Sequence, residues 1–236
     1  MNIKNIIKIV LMLLVFSLTA VAQYTPGTVS NGGTIAGTIS FDGTAPVLKA
    51  LKIEKDVKVC AVHEKYKEDV VVGESGGLKN VVVYIDGIKS GKEWETKYTL
   101  DQNGCWFEPH VVIVGVGQKL SILNSDGILH NIHTFSKLNK PLNKAQPKFK
   151  KRISAKFTKA EFIKLRCDVH AWMSGWIVAA ANPYYVTTDE AGNYTLTGVP
   201  AGTYTLKFWH ETLGEQSTEV TISAGGSAKA DAKFSS

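Results

Sequence analysis

The chain has 236 residues, of which 44% are hydrophobic and 20% are charged, so it can bury a core as one large or two small globular domains. Its formal net charge of +6 is a modest excess that does not by itself indicate a nucleic-acid partner. Valine, threonine, isoleucine and glycine recur in short runs, and no long stretch keeps a helical period. The composition therefore favours an all-β protein.

The first segment has the features of a secretory signal peptide. Lys4 and Lys8 precede an apolar stretch over 9–18, and Ala20-Val21-Ala22 is a small-x-small cleavage site. We expect cleavage after Ala22, which removes 1–22, lowers the charge from +6 to +4 and leaves a periplasmic or secreted protein. A retained anchor is the alternative, but the stretch is short for a membrane span and no later run is longer. We therefore expect no membrane span in the mature chain and no nucleic-acid partner.

The segment after the cleavage site predicts a lead-in followed by strands. Residues 23–32 are rich in turn formers and are expected to be flexible. GTIAGTISFDG over 33–43 alternates apolar with small or polar residues, which predicts a half-buried strand. LKIEKDVKVC allows a strand ending at Cys60, and LKNVVVYIDG over 78–87 predicts a strong strand closed by an Asp-Gly turn.

Two further strands are predicted at PHVVIVG and QKLSILN, joined by a glycine-rich turn. His110 lies at the start of the first of them. We interpret it as a polar strand-edge residue, or as one that supports a neighbouring site, and not as a metal ligand.

The most informative stretch runs from His130 to Met173, from the sequence LHNIH to RCDVHAWMSGW. Once the signal peptide is removed, Met173 is the only methionine, three residues after His170, which is three after Cys167. Two imidazoles, a thiolate and a weak axial methionine are the ligands of a blue-copper site. Cys167, His170, Met173 and one imidazole of the upstream His-Asn-Ile-His run are therefore predicted to bind one type 1 copper ion. The alternative is core packing with a free thiol.

The three cysteines make an odd count for an exported chain. If Cys167 is a metal thiolate, Cys60 and Cys105 can pair, which leaves no thiol exposed to oxidant, and we predict this disulfide. The alternative is a second metal bound by Cys105 or by Cys60 with His63.

The segment between Phe135 and Cys167 is strongly basic, with Glu161 as its one acid. Its cations are Lys137, Lys140, Lys144, Lys148, Lys150, Lys151, Arg152, Lys156, Lys159, Lys164 and Arg166. Such a run is usually a solvated loop. Because it connects two ligand-bearing segments, it could also form a positive rim that steers an acidic redox partner.

The block from Phe107 to Val178 resembles the cupredoxins, the Greek-key copper sandwiches that include plastocyanin and amicyanin. The resemblance lies in F-x-P-H-V-V-I-V-x-V-G-Q-x-L-x-I-x-N-S-D-x-x-x-H-N-I-H and in the ligand loop CDVHAWM. It implies that His130, and not His133, is the first ligand. It also implies that Asn131 bridges to the Cys167 loop, although a turn-capping role is the alternative. Trp172 is expected to pack under the loop or to form an apolar rim around an exposed edge of His170.

A second resemblance covers the C-terminal block and GTIAGTISFDG. The pieces T-T-D-x-x-G-x-Y-T-L and G-V-P-A-G-T-Y-T-L are similar to carboxypeptidase regulatory-like or transthyretin-like sandwiches. We therefore predict a cupredoxin-like Greek-key sandwich at 99–181 plus a small antiparallel β-sandwich formed by 33–98 with 182–236, possibly discontinuous. Alternatively, 33–98 adds strands to the copper domain. The combination resembles exported cupredoxins of the methylamine utilisation protein type.

These resemblances imply an electron-transfer protein that exchanges electrons with a redox partner, possibly a c-type cytochrome with an acidic docking face. A copper storage, delivery or sensing protein is one alternative, and a β-sandwich that binds proteins or carbohydrate is another. The chain carries no paired-acid, Ser-His or nucleophile-elbow motif, so we expect an electron carrier and not an enzyme.

Overall fold

The computed structural model describes residues 24–235. The predicted signal peptide lies outside this range, so its cleavage stays a prediction. Within the described range there are nineteen strands and one short helix, so the predicted all-β class is confirmed. The elements are β1 Thr25–Pro26, β2 Gly33–Asp42, α1 Val57–Cys60, β3 Val82–Ile85, β4 Ser90–Gly91, β5 Tyr98–Asn103, β6 Trp106–Glu108, β7 Val111–Gly115, β8 Lys119–Leu123, β9 His130–Phe135, β10 Asn143–Gln146, β11 Arg152–Lys156, β12 Glu161–Arg166, β13 Ser174–Ala180, β14 Tyr185–Thr187, β15 Asn193–Val199, β16 Gly202–His210, β17 Gly214–Ile222, β18 Ser227–Lys229 and β19 Ala232–Ser235.

The middle of the chain forms two sheets that share one core, which we call the ligand sandwich. A five-stranded sheet has the order β10-β9-β12-β13-β7, and a four-stranded sheet has the order β11-β8-β5-β6. Two pairs are parallel, β13 with β7 and β5 with β8, and the remaining pairs are antiparallel. The side chains buried between the sheets include Leu100, Phe107, Leu120, Ile122, Ile163 and Ile177.

The two ends of the chain form another pair of sheets, which we call the terminal sandwich. One sheet has the order β14-β3-β16-β17, and the other has β15-β2-β18, with β19 also paired to β2. Its core includes Ile35, Ile39, Val83, Ile85, Leu206, Phe208 and Phe234. The strands β2 and β3 thus pair with strands from the last fifty residues, while β5 to β13 lie between them along the chain. The domain boundaries at residues 99 and 181 stay a prediction.

Alternation along the strands explains how these sheets form. In β15, Tyr194 and Leu196 point into the core while Asn193 and Thr195 are exposed, which is the two-residue period of a half-buried strand. The turn before β15 needs Gly192, whose φ is +77° and whose added Cβ would lie 2.1 Å from the Ile39 carbonyl oxygen.

The segment between β2 and β3 differs from the prediction. The stretch that was expected to be a strand up to Cys60 ends in the helix α1, and the Cys60 side chain is fully buried. Ile53 and Val59 pack against the core of the ligand sandwich and not against the core of the terminal sandwich. The alternation of apolar and charged residues in this stretch allowed a strand, but the tertiary contacts of Ile53, Val59 and Cys60 favour the helical turn instead.

The two sandwiches meet at a small apolar cluster and at a buried polar cluster. Val82 and Tyr84 of β3 pack with Val111 and Val178 of the ligand sandwich. Beside them, the His110 ring bonds through Nε2 to Glu211, and its Nδ1 lies 3.4 Å from Glu68 Oε2. Glu211 also accepts a hydrogen bond of 2.7 Å from the Trp176 indole. His110 therefore connects three separate parts of the chain.

Burial alone would lower the pKa of His110, but the hydrogen bonds and charges of Glu211 and Glu68 outweigh it and raise the pKa to about 9. The neighbouring His210 ring is also titratable, and burial lowers its pKa to about 4, so it stays neutral at pH 7. A histidine whose pKa is raised in the folded state stabilises that state below its unfolded pKa of about 6.5, and this contribution disappears as the pH rises through about 9.

We predict that the stabilisation due to His110 falls by about 3 kcal/mol between pH 6.5 and pH 10. The measurement is urea unfolding of two chains, Cys167→Ser and Cys167→Ser with His110→Asn, so that the thiol does not titrate in either. The difference in unfolding free energy between them should shrink as the pH rises through about 9. A difference that stays constant over this range would show that His110 is neutral in the folded protein.

Candidate metal centre

Three of the four predicted ligands converge on one point of the ligand sandwich. Cys167 Sγ lies 3.9 Å from His130 Nδ1 and 3.8 Å from His170 Nδ1, and the two Nδ1 atoms are 3.0 Å apart. All three side chains are buried, with exposed fractions of 0–1%. A soft sulfur and two imidazole nitrogens that face one dry space fit the donor set of a type 1 copper ion.

The local fold explains why these side chains meet. His130 begins β9, and Cys167 directly follows β12, which pairs with β9 in the same sheet. The chain then turns back into β13, and the turn is closed by hydrogen bonds from the Met173 N–H to the His170 carbonyl (2.9 Å) and from the Cys167 N–H to the Met173 carbonyl (3.2 Å). The tight turn thus returns His170 to the thiol that precedes it by three residues.

Met173 is fully buried and belongs to the same apolar cluster as Cys167. Its backbone closes the turn that carries Cys167 and His170. Its role as the axial thioether stays a prediction.

Asn131 links the two ligand-bearing segments. Its side-chain oxygen accepts a hydrogen bond of 2.6 Å from the Asp168 N–H, and its amide donates to the Asp168 carboxylate (3.0 Å) and to Asn143 Oδ1 (2.9 Å). Since Asp168 directly follows Cys167, these bonds hold the cysteine turn against β9. A hydrogen-bonded bridge of this kind fixes the ligand geometry before a metal binds.

Each predicted histidine ligand bonds to a carboxylate through Nε2, the ring nitrogen that faces away from Cys167. His130 Nε2 lies 2.8 Å from Asp126 Oδ2, and His170 Nε2 lies 2.8 Å from Asp56 Oδ2. When Nε2 carries the proton in this bond, Nδ1 is free to bind the metal. Both rings are therefore oriented with their ligating nitrogen toward Cys167.

The charges in the site favour the thiolate form of Cys167. Burial alone would raise the pKa of the thiol, but hydrogen bonds from His130 and His170 outweigh it and lower the pKa to about 6. Burial alone would lower the pKa of His130, and its bonds with Asp126 and Cys167 instead raise it to about 9. The thiolate is the form that binds a metal, and metal binding would displace the proton from His130 Nδ1.

Cys60 and Cys105 form the predicted disulfide, with their Cα atoms 5.1 Å apart. Cys105 lies beside Asp126 and His130, within 4.8 Å between their ligand atoms. Because both sulfurs are used in the disulfide, the alternative of a second metal bound by either cysteine is wrong for this state of the protein. His63 is exposed.

The edge of His170 is not exposed, so the alternative of an apolar rim around it is wrong. Asp56, from the segment between β2 and β3, covers Nε2, and the ring has no exposed surface. The Trp172 ring packs against His170 with centroids 5.1 Å apart. On its other side Trp172 lines a crevice of about 340 Å³ together with Trp106 and Trp176.

The other histidines lie away from the three ligand atoms. His110 belongs to the cluster between the sandwiches, and His133 Nδ1 bonds to the Asp168 carboxylate at 2.9 Å. Sequence reasoning missed Asp56 and Asp126. Asp126 could have been found, since it stands in a Ser-Asp-Gly turn four residues before His130, but no pattern relates Asp56 to a histidine 114 residues later.

The comparisons with known proteins add two findings. The model of the carboxypeptidase regulatory-like domain matches residues 173–235, about a quarter of the chain. Solved structures similar to this chain include cupredoxins. A search of curated proteins finds no match.

Three of these structures show how limited the likeness is. The copper-containing nitrite reductase from Thermus scotoductus is 21% identical to this chain, with a TM-score of 0.34. The match covers 40% of this chain and 24% of the reductase, so this chain spans about a quarter of the length of that enzyme. The purple cupredoxin from Nitrosopumilus maritimus is 18% identical with a TM-score of 0.30, and the match covers 35% of this chain and 98% of the cupredoxin. Amicyanin from Paracoccus versutus is 14% identical with a TM-score of 0.32, and the match covers 36% of this chain and 81% of amicyanin. Support for the metal centre therefore comes from its own side chains.

We predict that Asn131→Ala lowers the unfolding free energy of the metal-free protein by about 1 kcal/mol, because the part-buried hydrogen bond from the Asp168 N–H is lost. Urea unfolding measures this loss. The matched control is Asn143→Ala, which removes contacts to the same carboxylate and to the Asn131 amide but leaves the Asp168 N–H bonded to Asn131, and it should have a smaller effect. Equal losses in the two variants would show that the bridge does not hold the turn.

Proposed function

We propose that the protein is an exported mononuclear type 1 copper protein that carries electrons between redox partners. The observation that carries the proposal is the meeting of Cys167 Sγ with two Nδ1 atoms, each on a ring whose Nε2 is bound to a carboxylate. His130, Cys167 and His170 would hold the ion, with Met173 as the weak axial ligand. When bound, copper would supply a one-electron couple between Cu(I) and Cu(II).

Burial and pre-organisation favour electron transfer over catalysis at this site. The ligand side chains have no appreciable exposed surface, so a substrate has no direct path to the metal position. Catalytic metal sites keep an open coordination position, whereas a closed set of ligands suits a change of oxidation state with little rearrangement. Asn131 and the two carboxylates hold the ligands so that they need not move.

The basic segment supports an acidic redox partner. Among the described residues, none of the eleven cations between Lys137 and Arg166 lies within 4.0 Å of an acidic oxygen. Glu161, the only acid of this segment, accepts hydrogen bonds from the backbone N–H groups of Leu138 and Asn139, both at 3.0 Å. The positive charge is therefore not neutralised locally.

Exposed apolar side chains accompany this charge. Phe135, Leu138 and Phe149 are 45%, 57% and 86% exposed, and Leu129, next to His130, is 45% exposed. Apolar contacts surrounded by positive charge suit brief docking to an acidic protein such as a c-type cytochrome, since charge speeds the encounter and apolar area stabilises it.

We predict that Cu(II) added to the purified protein produces an intense thiolate-to-copper absorption band, which ascorbate bleaches reversibly, and that Cys167→Ser abolishes it. The band requires the thiolate, and reversible bleaching requires that copper stays bound when it is reduced. Absorption spectra with a copper assay before and after gel filtration measure both. Protein that binds no copper would overturn the proposal, and copper released on reduction would favour a delivery protein.

A companion variant checks the axial ligand. Met173→Gln should retain copper and the disulfide but change the reduction potential, because the axial ligand tunes it. Complete loss of copper in Met173→Gln would argue against a type 1 site.

We also predict that Lys148→Glu with Lys150→Glu slows electron exchange with an acidic c-type cytochrome by roughly tenfold at low ionic strength. The effect should disappear as salt is added, because salt screens exposed charges. The control is Lys89→Glu with Lys97→Glu, which makes the same charge change in a part of the chain outside the basic segment. Stopped-flow rates over a range of salt concentrations measure the effect, and equal slowing by both variants would contradict docking at the basic segment.

A further inference from the structure

The segment that covers His170 comes from outside the ligand sandwich strands. Between β2 and β3 the chain crosses to the ligand sandwich, where Ile53, Val59 and Cys60 pack into its core. The Asp56 carbonyl accepts hydrogen bonds of 2.9 Å from the Val59 and Cys60 N–H groups, so Asp56 is fixed at the start of α1. From there its carboxylate reaches His170 Nε2.

The backbone at Asp56 is in the left-handed region, with φ +50° and ψ +38°. Asparagine, aspartate and glycine occupy this region more readily than other residues. The conformation aims the carboxylate at His170, whereas its neighbour Glu54 faces solvent and pairs with Lys52.

The disulfide lies between Asp56 and Asp126, the two residues whose carboxylates bond to the predicted ligand histidines. Cys60 is the last residue of α1, the helix that begins after Asp56, and Cys105 is its partner. The Cys105 N–H donates a hydrogen bond of 2.8 Å to the Asp126 carboxylate, which in turn binds His130. The disulfide thus ties the helix that follows Asp56 to Cys105, whose backbone N–H holds Asp126.

From this arrangement we infer that Asp56 is a positioning residue of the metal centre, held there by the Cys60–Cys105 disulfide. This inference rests on the proposed function. Asp56 keeps the Nε2 proton of His170 in place, leaves Nδ1 free for the metal, and closes the outer edge of the ring to solvent. Its negative charge also stabilises the more positive oxidation state of the bound ion.

Two substitutions separate the hydrogen bond from the charge. Asp56→Gly removes the carboxylate and tolerates the left-handed backbone, while Asp56→Asn keeps a hydrogen-bond acceptor and removes the charge. The matched control is Glu54→Gln, which removes one negative charge from the same segment two residues away. All are made in the full chain.

The first measurement is the solvent exchange of the His170 Nε2 proton by NMR in the metal-free protein. We expect slow exchange in the wild type, in Glu54→Gln and in Asp56→Asn, and fast exchange in Asp56→Gly. Slow exchange in Asp56→Gly would overturn the inference. Because no copper is present, this result stands apart from the proposed function, which is tested separately by copper binding and reversible bleaching in the wild type.

The second measurement uses Cu(II) affinity and reduction potential. Loss of a carboxylate behind a ligand histidine typically weakens metal binding by roughly 10- to 100-fold, and we expect this for Asp56→Gly. Asp56→Asn should raise the reduction potential, because the charge that favours Cu(II) is lost, while Glu54→Gln should leave it unchanged. If Asp56 served only to stabilise the fold, variants as stable as the wild type would keep the wild-type Cu(II) affinity and reduction potential.

The third arm tests the disulfide itself. Cys60→Ala with Cys105→Ala should speed exchange of the His170 proton, as Asp56→Gly does, because α1 is no longer tied behind the ring. Circular dichroism checks that the sheets persist. If the folded double variant keeps slow exchange, Asp56 is positioned without the disulfide and that part of the inference is wrong.

Discussion

The constraint on which the site depends is that two imidazoles and a thiol share a dry space about as wide as a hydrogen bond. Burying these polar groups together is costly unless each has a hydrogen-bond partner. Each group is therefore held in place by a neighbouring residue. Asn131 fixes the cysteine turn, and Asp126 and Asp56 fix the two rings. The surrounding sandwich, the disulfide and the crossing segment can all be understood as supports for these three hydrogen-bonded anchors.

Local patterns were sufficient for much of the fold and for singling out Cys167 and His170, whose side chains the structure brings together. Alternating strands such as β15 encode their own burial, and the spacing of Cys167, His170 and Met173 reflects one tight turn between two strands. The His130 segment could be placed because it carries a recognisable run of residues before it. In each case the structure is set by residues that are close together in the sequence, because the period of a strand and the spacing within a turn determine which side chains lie near one another.

What the sequence could not show depends on contacts between distant residues. The segment that ends at Cys60 has the alternation of a strand, yet its burial against the ligand sandwich and its disulfide make it a helical turn. Likewise, nothing near Asp56 in the sequence indicates that its carboxylate bonds to His170. Tertiary packing overrides local preference at these positions, and they are also the ones that surround the predicted ligands with fixed hydrogen-bond partners.

The pairing of β2 with β18 and β19 has a consequence for how the molecule is made. These parallel pairs join residues near 35–42 to residues near 228–235, so the terminal sandwich cannot close until residues 228–235 have been synthesised. The strands β5 to β13 are complete well before then, and their contacts are more local. Contacts between residues far apart in sequence form slowly because the intervening loop must be closed first. The strands of the ligand sandwich can therefore pair before residues 33–42 meet residues 227–235.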